Sequence, residues 1–448
     1  MKRIAFHTLG CKLNYAETAA LGKQFTGKGY TVVGIDDSAD VVVINSCSVT
    51  SSADRECRQL VRRALRHSPQ AFVAVVGCYA QLQADQLAAI QGVDLVLGTQ
   101  DKFSLFKYID TAQKKTHADI LVSCIGETNE FGLASSAGFE DRTRAFIKVQ
   151  DGCDYSCTYC TIPLARGVSR SAGRSEIVQQ AREAVALGYK EIVLTGVNVG
   201  DYGRKEGITL LSLLQRLVGI DGLMRIRISS IEPNLLTDAL LDFWFREEKL
   251  CNHWHIPLQS GSDSILRLMQ RRYLTSVYTD RMERIKTHIP DAGIGADVIV
   301  GFPGESDELF EETYNYLSAL PLTYFHVFSY SERPQTPASE FVRKVDPSVK
   351  AERSRRLHAL SIQKRSDFYH RFIGKTIPVL FESKHAHGFI SGLTEEYIRV
   401  DVLSDSILTN EIVPITIQES TSEKCIGISA NQNKQSEIHL AISMENSI

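Results

Sequence analysis

The first hundred residues alternate short apolar runs with stretches of helical spacing. Lys2–Thr8 predicts a strand and Asn14–Thr26 a helix ending near Gly27. Asp40–Asn45, with its run Val41-Val42-Val43-Ile44, predicts a buried strand. Asp54–His67 follows as a helix and Ala71–Val76 as another apolar strand. Short apolar strands separated by helices imply βαβ units and a parallel sheet. The pattern weakens over residues 116–140, where Asn129–Phe139 is rich in small residues and reads as a linker. From Arg144 the alternation resumes. Six strands are expected: Ala145–Gln150, Glu191–Thr195, Arg225–Ser229, His253–Pro257, Ala296–Val300 and Tyr324–Ser329. One intervening helix should cover Glu176–Leu187, with Ser175 as N-cap and Gly188 past its end, and another Asp307–Leu320.

Six such units suggest a curled parallel sheet or partial barrel with its site on the C-terminal face. Phe341–Lys375 reads as a basic helical stretch, with ten Lys/Arg against three acids. Ile377–Phe381, Gly388–Ser391, Ile398–Val402 and Glu411–Ile417 then look like short strands of a small β-barrel. The expected fold is therefore α/β in three parts. Residues 1–115 form a parallel-sheet domain and 116–140 a linker. Residues 141–372 form a partial (β/α)6 barrel that includes the basic helix, 373–430 a small β-barrel and 431–448 a polar tail.

Composition narrows the class. The chain has 448 residues, room for two to four domains of about 150 residues each. With 43% hydrophobic and 23% charged residues it is not largely disordered. No stretch approaches the roughly 18 uncharged apolar residues of a membrane-spanning helix. Lys2 and Arg3 precede no apolar segment of the kind a secretory signal needs. A cytoplasmic location is expected, where thiols stay reduced. Ten cysteines then ask for a metal or redox explanation before a disulfide one. The net charge of -3 does not by itself point to a nucleic acid.

Cys11, Cys47 and Cys78 each lie just past a predicted strand of the first sheet. Ligand sites in open α/β sheets gather outside the carboxyl ends of the strands, so three thiols from distant positions can converge there. A single cysteine in such a place is more often a small buried residue. The sharper signal is Cys153-Asp154-Tyr155-Ser156-Cys157-Thr158-Tyr159-Cys160. Three thiolates on one short loop can hold three irons of a 4Fe-4S cluster, where a fully protein-ligated cluster takes four. The fourth iron is then open to a small molecule. A zinc knuckle is the rival, but zinc sites usually use four ligands and no fourth lies nearby.

The CxxxCxxC run marks the radical S-adenosylmethionine superfamily, which the chain resembles over about residues 141–330. The resemblance implies that the open iron chelates the methionine amino and carboxylate groups, and that reductive cleavage gives a 5′-deoxyadenosyl radical. It also implies that Tyr159 lies beside adenine, and that Thr195, Gly196 and Asn198 receive the methionyl amine. Ser230, Glu232 and Gln259 are further candidates for cofactor or substrate contact, with plain loop capping as the alternative.

The segments around the first three cysteines are Thr8–Asn14 with Glu17-Thr18, Asn45–Thr50 and Val76–Gln81. Together they resemble the N-terminal domain of the methylthiotransferases, most closely the MtaB type. That type acts on N6-threonylcarbamoyladenosine next to the tRNA anticodon. Arg166–Ser171, His255–Ser262 and Asp297–Glu305 agree, and the last barrel resembles the family's RNA-binding TRAM domain. The resemblance implies a second cluster on Cys11, Cys47 and Cys78 that carries sulfur, and two uses of S-adenosylmethionine: one as methyl donor, one as radical source. It implies as partners a tRNA anticodon stem-loop, a sulfur source and an electron donor such as a flavodoxin or ferredoxin, with the chain acting as a monomer. The reaction suits this cofactor. Carbon 2 of adenine has no acidic proton, so the hard step belongs to cofactor-derived radical chemistry rather than to side-chain bases.

Some readings stay open. The same chemistry on isopentenyl-adenosine in tRNA or on a ribosomal-protein aspartate is the near alternative. A single-cluster radical enzyme is another. A non-catalytic iron–sulfur RNA-binding or redox-sensing protein is the alternative of a different class. Cys57, Cys124, Cys251 and Cys425 read as structural. His253 and His255 alternate on a strand and read as core or rim packing, with His255 on the barrel side. The basic helix can neutralise phosphates, which dominate RNA affinity, or be a solvated face. The segment Thr376–Ile448 carries four Lys/Arg against ten Asp/Glu, unlike the positive surface expected of an RNA-binding barrel. Either it has a local basic face or it contributes mainly packing. The chain also departs from the family in Ser331–Pro337, where relatives often have Gly near Gln335.

Overall fold

The structure, a computed structural model, describes residues 2–48, 50–109, 113–127, 130–139, 143–384, 388–403 and 408–429. Its first sheet has six parallel strands in the order β2-β1-β3-β4-β5-β6. They are β1 Arg3–Thr8, β2 Thr31–Val33, β3 Val41–Ser46, β4 Phe72–Gly77, β5 Leu95–Leu97 and β6 Asp119–Leu121. The apolar runs of β3 and β4 are buried along their whole length because helices cover both faces of a parallel sheet. The helix Ser51–His67 starts three residues before its apolar pattern, since Thr50 caps it by accepting the Ala53 N–H. The segment read as a linker is packed: Ala134 sits in one cluster with Ala16, Phe146 and Val193, which joins the two sheets.

The central region begins with β7 Arg144–Lys148. Two-residue strands β8 Gln150–Asp151 and β9 Arg170–Ser171 pair antiparallel around the cysteine loop. All six expected strands are present: β7, then β10 Glu191–Thr195, β11 Arg225–Ile228, β12 His253–His255, β13 Gly293–Val300 and β14 Tyr324–Ser329. They hydrogen-bond as two parallel sheets, β11-β10-β7 and β12-β13-β14. A parallel bridge from Ile226 to Leu250, just ahead of β12, joins the two into one curl. One helix differs from expectation at its start. It spans Arg174–Ala186 with Gly173, not Ser175, as N-cap, because the Glu176 carboxylate reaches back to accept the Gly173 N–H at 2.9 Å. The basic helix is shorter than its charge run. It spans Pro347–His370, since Asp346 caps it and Pro347 favours the first helical position.

The last region is a closed five-stranded barrel, β15-β16-β17-β19-β18. Its strands are β15 Thr376–Lys384, β16 Phe389–Leu393, β17 Arg399–Leu403, β18 Ile412–Ser420 and β19 Cys425–Ser429. Four of these were expected. The fifth, β19, is a short run interrupted by Gly427, and it becomes a strand only by pairing with both β17 and β18. Three of the barrel's acids face the central region: Glu382 pairs with Arg144 at 2.8 Å, Glu395 with Arg225 at 3.3 Å and Glu411 with Lys190 at 2.5 Å. Arg227 also donates to the carbonyls of Thr394 and Glu395. Part of the negative charge thus serves docking. The tail beyond Ser429 lies outside the described residues, and no described helix is long and apolar enough to cross a membrane.

Candidate functional site

The CxxxCxxC loop leaves the sheet through Gly152. Its φ of +69° is left-handed, and a Cβ there would lie 2.1 Å from the Val168 carbonyl oxygen, so only glycine fits. Each sulfur has a donor. Cys153 Sγ accepts from the Tyr155 N–H at 3.4 Å and Cys160 Sγ from the Ile162 N–H at 3.5 Å. Cys157 Sγ accepts from Arg271 Nη1 at 3.1 Å. Burial, with the neighbouring Cys157 adding to it, pushes the Cys153 thiol up to about 11 and the Cys160 thiol up to about 12. Three crowded sulfurs with thiolate-type donors cannot all ionise without shared positive charge. That donor set fits the irons of a 4Fe-4S cluster, with Cys153, Cys157 and Cys160 as its ligands.

The first sheet brings its three thiols together by register. β1, β3 and β4 are adjacent, and their C-terminal ends carry Cys11, Cys47 and Cys78. Gly10 turns with φ +89°, and a Cβ on it would lie 2.7 Å from Cys47 Sγ, so the Cys11 turn rests on Cys47. Cys11 opens on a cavity, yet the surrounding protein strips enough water to push its thiol up. Arg166 opposes that shift and Cys78 adds to it. This donor set also fits a three-thiolate cluster. Of the four remaining cysteines, Cys57, Cys251 and Cys425 are buried, as structural residues would be, whereas Cys124 is exposed and does not pack in a core.

A buried ionic network ties the two thiol sites. Glu17, fully buried, accepts from Lys102 at 2.5 Å, Lys148 at 2.9 Å and Arg166 at 3.0 Å. Arg166 also reaches Asp151 at 2.8 Å and Asn14 Oδ1 at 2.6 Å. Burial alone would raise the Glu17 carboxyl. Arg166, Lys102 and Lys148 outweigh it and hold the group well below the usual carboxylate range. Asn14 and Glu17 belong to the helix Lys12–Thr26, and Asp151 and Arg166 flank the CxxxCxxC loop. The network therefore sets where Cys11 stands relative to Cys153. Arg333 adds a second tie, to Ser48 Oγ at 2.6 Å and Asp54 at 2.7 Å, beside Cys47.

Two adjoining cavities lie over the strand ends. The smaller, about 210 Å³, is lined by Tyr159, Cys160, Gln259, Asp297 and Phe328. The larger, about 630 Å³, is lined by Cys11, Lys12, Thr195, Gly196, Ser230, His255, Asp297, His326 and Phe328, and by Tyr397 and Arg399 of the barrel. Asp297 and Phe328 belong to both. His255 Nε2 is 3.4 Å from Asp297 Oδ1, and its Nδ1 is 2.8 Å from Ser230 Oγ. Burial would raise Asp297, but the hydrogen bond from His255 and the charges of His326 and Lys12 hold it low. His255 therefore has polar partners in the cavity wall rather than core packing. His253 is the buried member of the pair, stacked on Tyr397 at 4.6 Å between ring centroids.

Tyr159, Gln259, Thr195, Gly196 and Ser230 thus face the cavities. Gln259 does so with φ +70°, a strained backbone for a residue with a side chain. Asn198 lines neither cavity but is buried, with its Oδ1 unpartnered among the described residues, as is Ser229 Oγ. Such orphaned acceptors and donors beside the loop fit the polar ends of a bound cofactor. Glu232 lines neither cavity and is ion-paired to Arg271 beside the cysteine loop. Arg271 escaped the sequence reading. It joins Glu232, Cys157, Tyr159 at 3.2 Å and Tyr273 at 3.2 Å, yet it lies in no motif. Phe328 and Asp297 were findable: both stand near the C-terminal ends of barrel strands, where sites gather. Gln335 takes φ +65°, the left-handed conformation that glycine adopts freely, so the backbone here has the form a glycine would take.

Comparison with known proteins agrees with this architecture. Residues 3–98 match the family described as Uncharacterized protein family UPF0004, and residues 147–317 the Radical SAM superfamily. The chain is 40% identical to the threonylcarbamoyladenosine tRNA methylthiotransferase MtaB of Bacillus subtilis, over 93% of this chain and 94% of that one. It is 35% identical to the enzyme of the same name from Thermotoga maritima, over 96% and 98%. A tRNA-2-methylthio-N(6)-dimethylallyladenosine synthase of Akkermansia muciniphila is 31% identical over 96% and 99%. Among solved structures, the radical S-adenosylmethionine methyltransferase TsrM of Kitasatospora setae, with tryptophan and an S-adenosylmethionine analogue bound, shares the fold. Its TM-score is 0.53 at 13% identity, over 76% of this chain and 75% of that one. With two sets of three thiols, a radical-enzyme core and whole-length likeness to such relatives, the chain belongs to the radical S-adenosylmethionine methylthiotransferases of the MtaB type.

Proposed function

We propose that the protein adds a methylthio group to carbon 2 of N6-threonylcarbamoyladenosine next to the tRNA anticodon. The observation that carries this is the pair of adjoining cavities, one holding Cys160, the other Cys11, with Asp297 and Phe328 common to both. A base placed there lies within reach of both thiol sites, which sulfur insertion requires. When bound, S-adenosylmethionine and two 4Fe-4S clusters would supply the carbon radical, the sulfur and its methyl group.

The chain's own residues do the rest. Cys153, Cys157 and Cys160 would hold the radical cluster, and Cys11, Cys47 and Cys78 the auxiliary one. Tyr159 and Gln259 wall the smaller cavity, where the adenosyl part fits. Thr195, Gly196, Asn198 and Ser230 offer polar groups to the cofactor or the base. Arg271 holds Tyr159 and donates to Cys157. Phe328, exposed at the junction of the cavities, offers a ring on which an unstacked base can lie. The base must leave its stack to reach this depth. A tRNA anticodon stem-loop is the substrate, a flavodoxin- or ferredoxin-like donor supplies electrons, and a sulfur source reloads the auxiliary site. The protein works as a monomer in the cytoplasm.

The test is nucleoside mass spectrometry of tRNA from a host without its own methylthiotransferases, with and without this protein. Methylthio-N6-threonylcarbamoyladenosine is expected. A mark on isopentenyl-adenosine instead would overturn the substrate and keep the chemistry. No new nucleoside, with both clusters loaded, would overturn the tRNA assignment.

A further inference from the structure

The larger cavity carries an uneven charge. Among its lining residues the basic side chains are Lys12, Arg365 and Arg399, and the acids are Asp297 and Glu423. Most of these are already engaged. Asp297 is held by His255. Arg399 donates to Ser391 Oγ at 3.0 Å and lies 3.7 Å from Glu382. Glu423 is exposed at the rim.

Lys12 and Arg365 are different. The half-buried Lys12 ammonium makes no hydrogen bond or ion pair among the described residues. Its one contact is the Tyr397 ring, 5.4 Å from nitrogen to centroid. Tyr397 is held there at φ +71°, in the turn between β16 and β17 and stacked on His253. Arg365, half-buried on the long helix, spends only its Nε, on the Ser422 carbonyl. Its two Nη groups have no partner among the described residues. Both charges act on His326, which burial and these cations push below its ordinary range while Asp297 opposes them. Two cations from two different regions that line one partly desolvated cavity, with no hydrogen-bonded or ion-paired acid on the Lys12 ammonium or the Arg365 Nη groups among the described residues, leave a net positive field there.

Resting on the function proposed above, we propose that Lys12 and Arg365 form a carboxylate subsite that takes the threonyl carboxylate of the substrate's N6 side chain. The subsite makes the enzyme choose an acidic N6 substituent over an apolar one. Tyr397 positions Lys12, so the barrel contributes to specificity from its packed turn rather than from a basic face. A site built to hold a charge also rejects ligands that lack it, because its cations are then left unpaired.

The test uses the holoenzyme and three anticodon stem-loop RNAs that differ only at the target base: threonylcarbamoyladenosine, its methyl ester and isopentenyl-adenosine. Binding is read by fluorescence anisotropy. The acid should bind at least about tenfold tighter than its ester, a gap of about 1.4 kcal/mol. Lys12→Met should erase that gap, Lys12→Arg should keep most of it, and Arg365→Met should narrow it. Iron content and the visible absorption of the clusters, measured on each variant, show that the Cys11 site next door is intact. If Lys12→Met does not load its clusters, the acid–ester comparison on the unaltered protein and on Arg365→Met decides. Equal binding of acid and ester by the unaltered protein overturns the subsite. So does a gap that survives both Met variants. Tight binding and modification of the isopentenyl RNA in place of the acid would instead overturn the substrate proposed above.

Discussion

Cys153, Cys157 and Cys160 lie within eight residues on one loop, whereas Cys11, Cys47 and Cys78 span sixty-eight residues and meet at three strand ends. The first set needs only a tight glycine turn and the short β8–β9 pair to present its sulfurs. The second depends on the register of β1, β3 and β4 and on a helix pinned from below by Glu17. One site is thus a property of a segment, the other of a whole sheet. Their separation is set by neither. It is set by the buried contacts of Arg166 and Arg333, which cross from one region to the other.

The largest effects should separate the two sites outright. Cys157→Ser should abolish both 5′-deoxyadenosine release and the methylthio product. Cys47→Ser should abolish the product and leave 5′-deoxyadenosine release in place. Each should lower bound iron from about eight to about four per chain, at four per cluster. Equal loss of 5′-deoxyadenosine in both variants would break the comparison.

Next comes the tie between the sites. Glu17→Ala leaves Lys102, Lys148 and Arg166 without their shared acid in a fully buried place. Breaking such a network is expected to cost about 3–5 kcal/mol, read by thermal or denaturant unfolding. A loss under about 1 kcal/mol would mean that the cations find other partners and that the sites are not held apart by this network.

Phe328 belongs to both cavities, so its loss should weaken both sites' hold on the base equally. Phe328→Ala should lower affinity for the modified stem-loop by about 1–3 kcal/mol, the usual value of base–aromatic stacking. It should leave 5′-deoxyadenosine release without RNA unchanged. Unaltered affinity would remove Phe328 from the base's path.

The smallest effect is a pH dependence confined to the larger cavity's wall. His253 is buried and faces Arg227, Lys12, His255 and Arg144, so it stays neutral well below the ordinary imidazole range. Below about pH 6.5 the unfolded chain takes up a proton there that the folded chain refuses. Stability present above that pH is therefore lost as pH falls. His253→Gln should flatten the melting-temperature profile between about pH 6.5 and 5. An unchanged slope would place the acid sensitivity elsewhere.

Legibility followed the same division. The CxxxCxxC loop, the six barrel strands and the four helix ends near Thr26, His67, Leu187 and Leu320 were visible because each is encoded by neighbours in sequence. Gly152 and Gly10 could be seen beside their cysteines, though not the close approaches that require them. Ser175 looked like a cap because serine often is one, yet Glu176 caps Gly173 instead. β19 was missed because five residues around Gly427 carry no strand pattern until β17 and β18 flank them. The partner of Glu232 was not legible because nothing local shows that Arg271, thirty-nine residues on, pairs with it.

By itself, then, the order of residues determined the elements, the two cysteine sets and the chemistry they imply, since spacing along a chain fixes local geometry and ligand type. Only the tertiary structure decided which charges are spent and which are free. Three of the barrel's acids are answered by Arg144, Arg225 and Lys190. Glu17 is answered three times over, and Lys12, among the described residues, only by the Tyr397 ring. The physical reason is that a charge's partner is chosen by distance in space, and in this fold the partners lie tens to hundreds of residues apart.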